Sequence, residues 1–297
     1  MIKMNTQIIN NNKTSLIIIS FIIFAFSLSM RDVFFRHLLL DGNSLSVICF
    51  WTGFFGLVFS FFTVKRKEEL ILLKPKFQFL RLILNGFSCT MVVYIFTEMS
   101  PSTVSILTKS GMPLTILVGS FLGHKFFSKE IKLSYLIILC ISTFAFLSLE
   151  SDEKTSHIAL IILFTSILLT VSEFLLLSKA VKDENKFYIS STPSLALLIS
   201  GIIMSNGELN VILSIKFEVF ILLFLCGLMF FMAYYTSIIR YKYLPPGLAE
   251  YPSLVTYFIL LPIDLAFFNG NFDSFVFFNA VIILSLMSIL VKVRVKG

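Results

Sequence analysis

Charge is what this sequence has least of: Asp, Glu, Lys and Arg make up 14% of its 297 residues, against about 25% in a typical soluble protein. With 57% of the residues hydrophobic, too few polar side chains remain to cover a water-facing surface, and lipid is the solvent that fits. Motifs for chemistry are missing as well. The chain has no GxxxxGK phosphate loop, no H-E-x-x-H and no nucleophile elbow, which argues against ATP-driven pumping by this chain alone. Its four cysteines, Cys49, Cys89, Cys140 and Cys226, lie far apart inside apolar runs with no C-x-x-C spacing, and read as small hydrophobes in helix cores. His37, His124 and His157 stand at the ends of apolar runs, where a headgroup or loop role outweighs metal binding. No cofactor is expected, and no stretch is long enough between apolar runs for a large soluble domain.

What is present is a succession of apolar runs, each judged against the roughly 20 residues that cross about 30 Å of hydrocarbon. They cover 14–38, 43–64, 77–98, 102–123, 132–150, 156–180, 187–206, 217–240, 246–268 and 274–292. Breakers fall where they meet, at Gly42, Pro75, Pro101, Asn206-Gly207, Pro245-Pro246 and Asn269-Gly270. The first run is long and no soluble sequence follows it, which favours a retained span over a cleaved signal peptide. The formal charge of +7 is no nucleic-acid patch, because the basic residues sit in short clusters between runs. With the N-terminus inside, nineteen Lys and Arg fall in inner segments and three, Arg36, Lys154 and Lys216, in outer ones. The positive-inside rule then predicts ten spans with both termini cytoplasmic. The expected fold is an all-α membrane protein whose lipid partner is the bilayer.

Ten spans divide into two fives, and an odd number of helices per half inverts the second half against the first. The expectation is two inverted five-helix repeats, 14–150 and 156–292. Inverted repeats recur in carriers because exchanging the conformations of the halves gives alternating access. The halves echo each other weakly. The fourth span opens with Ser100-Pro101-Ser102 and carries Pro113; the ninth opens with Pro245-Pro246-Gly247 and carries Pro252. Proline-broken helices in corresponding positions point to a site between the halves.

Several segments resemble the drug/metabolite transporter superfamily, in its EamA-like branch. They are Asp32-Val-Phe-Phe-Arg36, the stretch from Tyr94 to Pro101 on through Pro113-Leu114 to Leu122-Gly123, and Leu248-Ala249-Glu250-Tyr251 with Ser253-Leu254-Val255. Phe50-Trp51 stands where the family usually has a Phe-Arg pair, and Leu122-Gly123-His124 where it usually has Leu-Gly-Glu. The resemblance implies a secondary carrier in a bacterial inner membrane, with spans four and nine central and spans five and ten peripheral.

An ionisable group in hydrocarbon costs about 2.5–3.5 kcal/mol on insertion scales, so each calls for a reason. At 1.5 Å per residue, Asp32 lies about 24 Å from the inner face and Lys109 about 10 Å below the outer one. Both fall in the outer half, where either a water-lined cavity or a structural ion pair accounts for them. Glu173 and Glu250 fall near the inner face, close in depth to Arg81 and Arg240, as a substrate or proton site with Tyr251 or as a structural lock with Arg240. Arg31 and Arg36 are expected to snorkel to the outer headgroups, and Asp264 to sit at the outer interface. Arg81, Asn85 and Ser88 form a polar stripe on the third span. Tyr94, Tyr234 and Tyr251 stand beside these polar candidates, and an aromatic face with a carboxylate suits a cation. The expected pathway residues are thus Asp32, Asn85, Tyr94, Lys109, Glu173, Tyr234, Glu250 and Tyr251. They suit a small zwitterionic or cationic metabolite, moved by proton coupling or by exchange. A non-transporting membrane scaffold or subunit is the alternative; an intramembrane enzyme lacks the clustered catalytic residues it needs. Substrate, direction and oligomeric state are not legible in the chain.

Overall fold

The computed structural model describes residues 11–121, 128–151, 157–181, 184–206, 209–244, 249–250, 252–268 and 274–296. Among them every regular element is helical: α1 (Asn11–Leu40), α2 (Leu45–Phe61), a 3-10 turn (Lys67–Leu70), α3 (Pro75–Ile95), α4 (Pro101–Thr108), α5 (Gly111–Phe121) and α6 (Ser128–Ser151). Then follow α7 (His157–Ala180), α8 (Lys186–Met204), the short α9 (Leu209–Leu213), α10 (Phe217–Tyr243), α11 (Ser253–Phe267) and α12 (Ser274–Lys296). Six stretches are long and apolar enough to cross a bilayer: Ser15–Leu40, Pro75–Ile95, Pro101–Phe121, His157–Ala180, Lys186–Met204 and Phe217–Tyr243. Shorter apolar helices cover Leu45–Phe61, Val255–Phe267 and Ala280–Leu290. Charged side chains are buried and large apolar ones are exposed. Arg81, Arg240 and Glu173 are buried, whereas Phe87, Leu139, Ile161 and Phe121 are exposed. Apolar side chains facing outward, with a few charged groups held inside a largely apolar core, are the arrangement of a multi-pass α-helical membrane protein.

Local chemistry sets the helix ends. Ser44 caps α2 by accepting from Val47 N, and Gly42 takes the left-handed conformation (φ 81°) in the turn before it. Ser100 caps α4 with Pro101 in its first turn. Pro113 explains why α4 and α5 are two helices. It lacks an N–H, and its ring would press on the carbonyl four residues back, that of Lys109. The helix breaks there, and Lys109 O accepts from Met112 N at 3.3 Å instead. Pro193 lies inside α8 and releases the carbonyl of Ile189 in the same way. That oxygen is taken by Arg81 Nη2 at 3.3 Å.

Helix α2 packs on α8 and α10, α1 on α10 and α11, and α3 on α7 and α8. Helix α4 packs on α11, α5 on α6 and α7, and α12 on α6. The α2–α8 crossing is antiparallel: Gly201 meets Phe50 near one end, and the Phe61 and Phe187 rings lie 4.9 Å apart near the other. Along α2 and α10, Phe55 pairs with Phe220 and Phe59 with Phe231, so that pair is parallel. At Gly201 an added Cβ would fall 2.7 Å from Phe50 Cα, with Phe50 N closer still. Gly201→Ala is therefore expected to cost about 1–3 kcal/mol as overpacking against backbone that cannot rotate away. Gly86→Ala, whose Cβ would meet nothing nearer than 3.5 Å, should be neutral. Thermal midpoints of the two purified variants check this, and equal midpoints would refute it.

Candidate functional site

Helices α1, α3, α4, α7 and α10 line a cavity of about 150 Å³, with Glu250 and Ser253 at one side. Its walls are mostly apolar: Phe24, Leu28 and Phe35 from α1, Val92 from α3, Phe174 from α7 and Phe230 from α10. The polar groups arrive from both halves of the chain. Arg31, Asp32 and Lys109 come from the first, Tyr234, Ser237 and Glu250 from the second. A smaller cavity of about 60 Å³ adjoins it between α7 and the α4–α5 break, and shares Lys109 and Glu250.

Arg31 folds back on its neighbour, donating to Asp32 Oδ1 from Nε at 2.8 Å and from Nη2 at 2.6 Å. Its guanidinium also lies 5.7 Å from the Phe35 ring centre and 5.9 Å from that of Phe230. The expected snorkelling of Arg31 does not occur. The nearest carboxylate is buried beside it, and a paired charge against two rings is better placed than one stretched toward the headgroups. Arg36 turns inward too, donating to the carbonyl of Phe96 at the end of α3.

Lys109 is 3% exposed and donates from Nζ to Thr256 Oγ1 at 2.7 Å. Thr256 stands 2.9 Å from Ser105 Oγ and donates to the Ser253 carbonyl, so a chain of hydroxyls joins α4 to α11 beside the break. Among the described residues no carboxylate lies within ion-pair distance of Lys109. Asp32, the partner the sequence suggested, is occupied by Arg31.

Glu250 accepts from Tyr241 Oη at 2.7 Å, and Arg240 Nη1 lies 3.6 Å from the same oxygen. Arg240 is fully buried and held on three sides. It donates to the Ala249 carbonyl and to Ser237 Oγ, and its guanidinium carbon lies 3.5 Å from the Phe24 ring centre.

Glu173 does not join Glu250 in the cavity. Arg81 takes it, with Nη2 2.7 Å from Glu173 Oε1 and Nε 2.9 Å from the same atom. Gln78 Oε1 accepts from Arg81 and from Thr192 of α8, both at 2.9 Å. This network binds α3, α7 and α8 beneath the cavity. Asn85 is also outside the lining: its Nδ2 bonds the Arg81 carbonyl and its Oδ1 accepts from Tyr234 Oη at 2.9 Å. It orients a wall residue without being one. Tyr94 is half-buried and away from the cavity, because it follows Val92 by two residues, about 200° around α3, and so leaves the opposite face of the helix. Tyr251 lies outside the described residues. Asp264 is buried against a neighbouring helix (2% exposed): it accepts from Ser102 N at 2.7 Å. A carboxylate at the start of α4 meets the positive end of that helix.

Sequence reasoning assigned Arg31 to the headgroups and passed over Tyr241, Thr256 and the phenylalanines of the wall. Arg31 carried a signal, being one residue from Asp32 and as deep in the span. The phenylalanines carried none, since 35 of them leave no way to choose. Compared with known proteins, the chain matches no family model and no curated protein.

Proposed function

We propose that the protein is a secondary carrier for a small polar metabolite in the inner membrane of a bacterium, built on the EamA-like plan of ten spans in two inverted halves. The observation that carries the reading is the cavity where buried charged groups from both halves converge. A scaffold has no use for such a void, and charges in hydrocarbon are retained for pathways or partners. The ten spans would be the six long stretches, the three shorter apolar helices and α6, with α4 and α5 counted as one broken span.

The packing supports the inverted halves. Exchange α1 for α7, α2 for α8, α3 for α10, α4–α5 for α11 and α6 for α12. The contact of α1 with α10 becomes that of α7 with α3, and α2 with α10 becomes α8 with α3; both exist. The contact of α1 with α11 becomes that of α7 with α4–α5, and α2–α8, α4–α11 and α6–α12 map onto themselves. A pseudo-two-fold arrangement of this kind lets one half take the conformation of the other. Glu250 with Tyr241 is the group at which proton coupling would act.

The test is flux by the purified protein in liposomes, against a panel of amino acids, amines, organic acids and cofactors. Uptake or exchange of any of them above protein-free vesicles supports the carrier, and no flux across the panel defeats it. Topology has its own test: a reporter fused after Gly297 that is active only in the periplasm is expected to stay silent, and activity would overturn the ten-span orientation.

A further inference from the structure

Among the described residues the charges around the cavity balance except at one point. Asp32 is neutralised by Arg31 at 2.6 Å, and Glu250 faces Arg240 at 3.6 Å. Lys109 is left with a hydroxyl as its only hydrogen-bond acceptor among the described residues. An ammonium has three donors, so two are free at the cavity wall. Buried charges are paired in folded proteins because an isolated one is expensive. An anionic ligand would supply the missing partner. The sequence pointed to a zwitterion or a cation, because it counted Asp32, Glu173 and Glu250 as free; each has a guanidinium of its own.

We infer that the cavity takes an organic anion, its charged head on Lys109 and a compact apolar body among Phe35, Phe174 and Phe230. That this ligand is also the transported cargo rests on the carrier reading. A ligand with positive charge alone is not compatible with the site, because each described carboxylate beside it already faces a guanidinium. Size limits the body. An apolar cavity of about 150 Å³ takes up benzene, so one aromatic ring or a short branched chain fits, and a long acyl chain does not.

Benzoate, benzamide and benzamidinium share one shape and carry charges of −1, 0 and +1. They are added to the purified protein in neutral detergent, and binding is followed by calorimetry or by the shift in thermal midpoint. Benzoate is expected to bind at least about tenfold tighter than benzamide, the least that a hydrogen bond to a charged group contributes. Benzamidinium should not bind measurably. In Lys109→Gln the benzoate preference should fall to about twofold or less, and if that variant is poorly folded, Lys109→Met serves in its place. Benzamidinium binding best, equal binding of all three, or no binding of any overturns the inference. So does inorganic phosphate binding as well as benzoate, which would remove the apolar body. The two readings fail separately: benzoate binding without flux of any compound sinks the carrier and keeps the anion site, while flux of amines without benzoate binding does the reverse.

Discussion

Glu173→Ala is expected to destabilise the protein by about 3–5 kcal/mol, the usual cost of removing one member of a buried ion pair. Arg81 is 0% exposed and Glu173 1%. Without the carboxylate, Arg81 keeps Gln78 Oε1 and the Ile189 carbonyl but has no negative charge to offset the loss of water. The damage should spread, because Arg81 joins three helices. It reaches α7 through Glu173 and α8 through the carbonyl that Pro193 releases. Replacing both members with apolar residues of similar volume, Arg81→Met with Glu173→Leu, removes the charge and its partner together. The double variant should recover most of the lost stability. Thermal midpoints in detergent for the two single variants and the double variant form the cycle. A Glu173→Ala midpoint equal to that of the unaltered protein would show that the pair holds nothing together.

Lys109→Met should behave in the opposite way. Flux in liposomes is expected to disappear, while the thermal midpoint stays level or rises. The volume is nearly kept, and no buried carboxylate is stranded, because among the described residues none lies within ion-pair distance. What is lost is one hydrogen bond to Thr256, and a hydroxyl between Ser105 and the Ser253 carbonyl keeps other partners. Removing a buried cation that has no counter-charge removes a desolvation penalty. Two buried cations thus give contrasting signatures: Arg81 maintains the fold, Lys109 works at the expense of it. If Lys109→Met unfolds the protein, or if it transports normally, the assignment of Lys109 to the pathway fails.

Much of this was legible in the chain because lipid imposes simple rules. A run of apolar residues must be helical, since hydrocarbon offers the backbone no other hydrogen-bond partner. The α4–α5 break could be anticipated from Pro113, whose effect on the carbonyl four residues earlier is local geometry. Lys109 stood out from depth alone, as a cation flanked by Ser105 and Thr108.

Partnership was not legible. Depth along a helix follows from counting residues, at 1.5 Å each, and by that measure Glu173 belonged with Glu250, and Asp32 with Lys109. The direction in which a side chain leaves its helix, and what stands there, depend on how the helices pack. Pairing α3 with α7 gave Glu173 to Arg81. Folding the Arg31 side chain back along α1 gave it to Asp32. Seating the end of α11 against the start of α4 gave Asp264 to the Ser102 N–H. The sequence by itself determined that the chain is helical, apolar outward, and charged at a few depths in its interior. Only the tertiary structure decided which of those charges pair, because pairing depends on distances across helix contacts, and it left Lys109 with no carboxylate within ion-pair distance among the described residues.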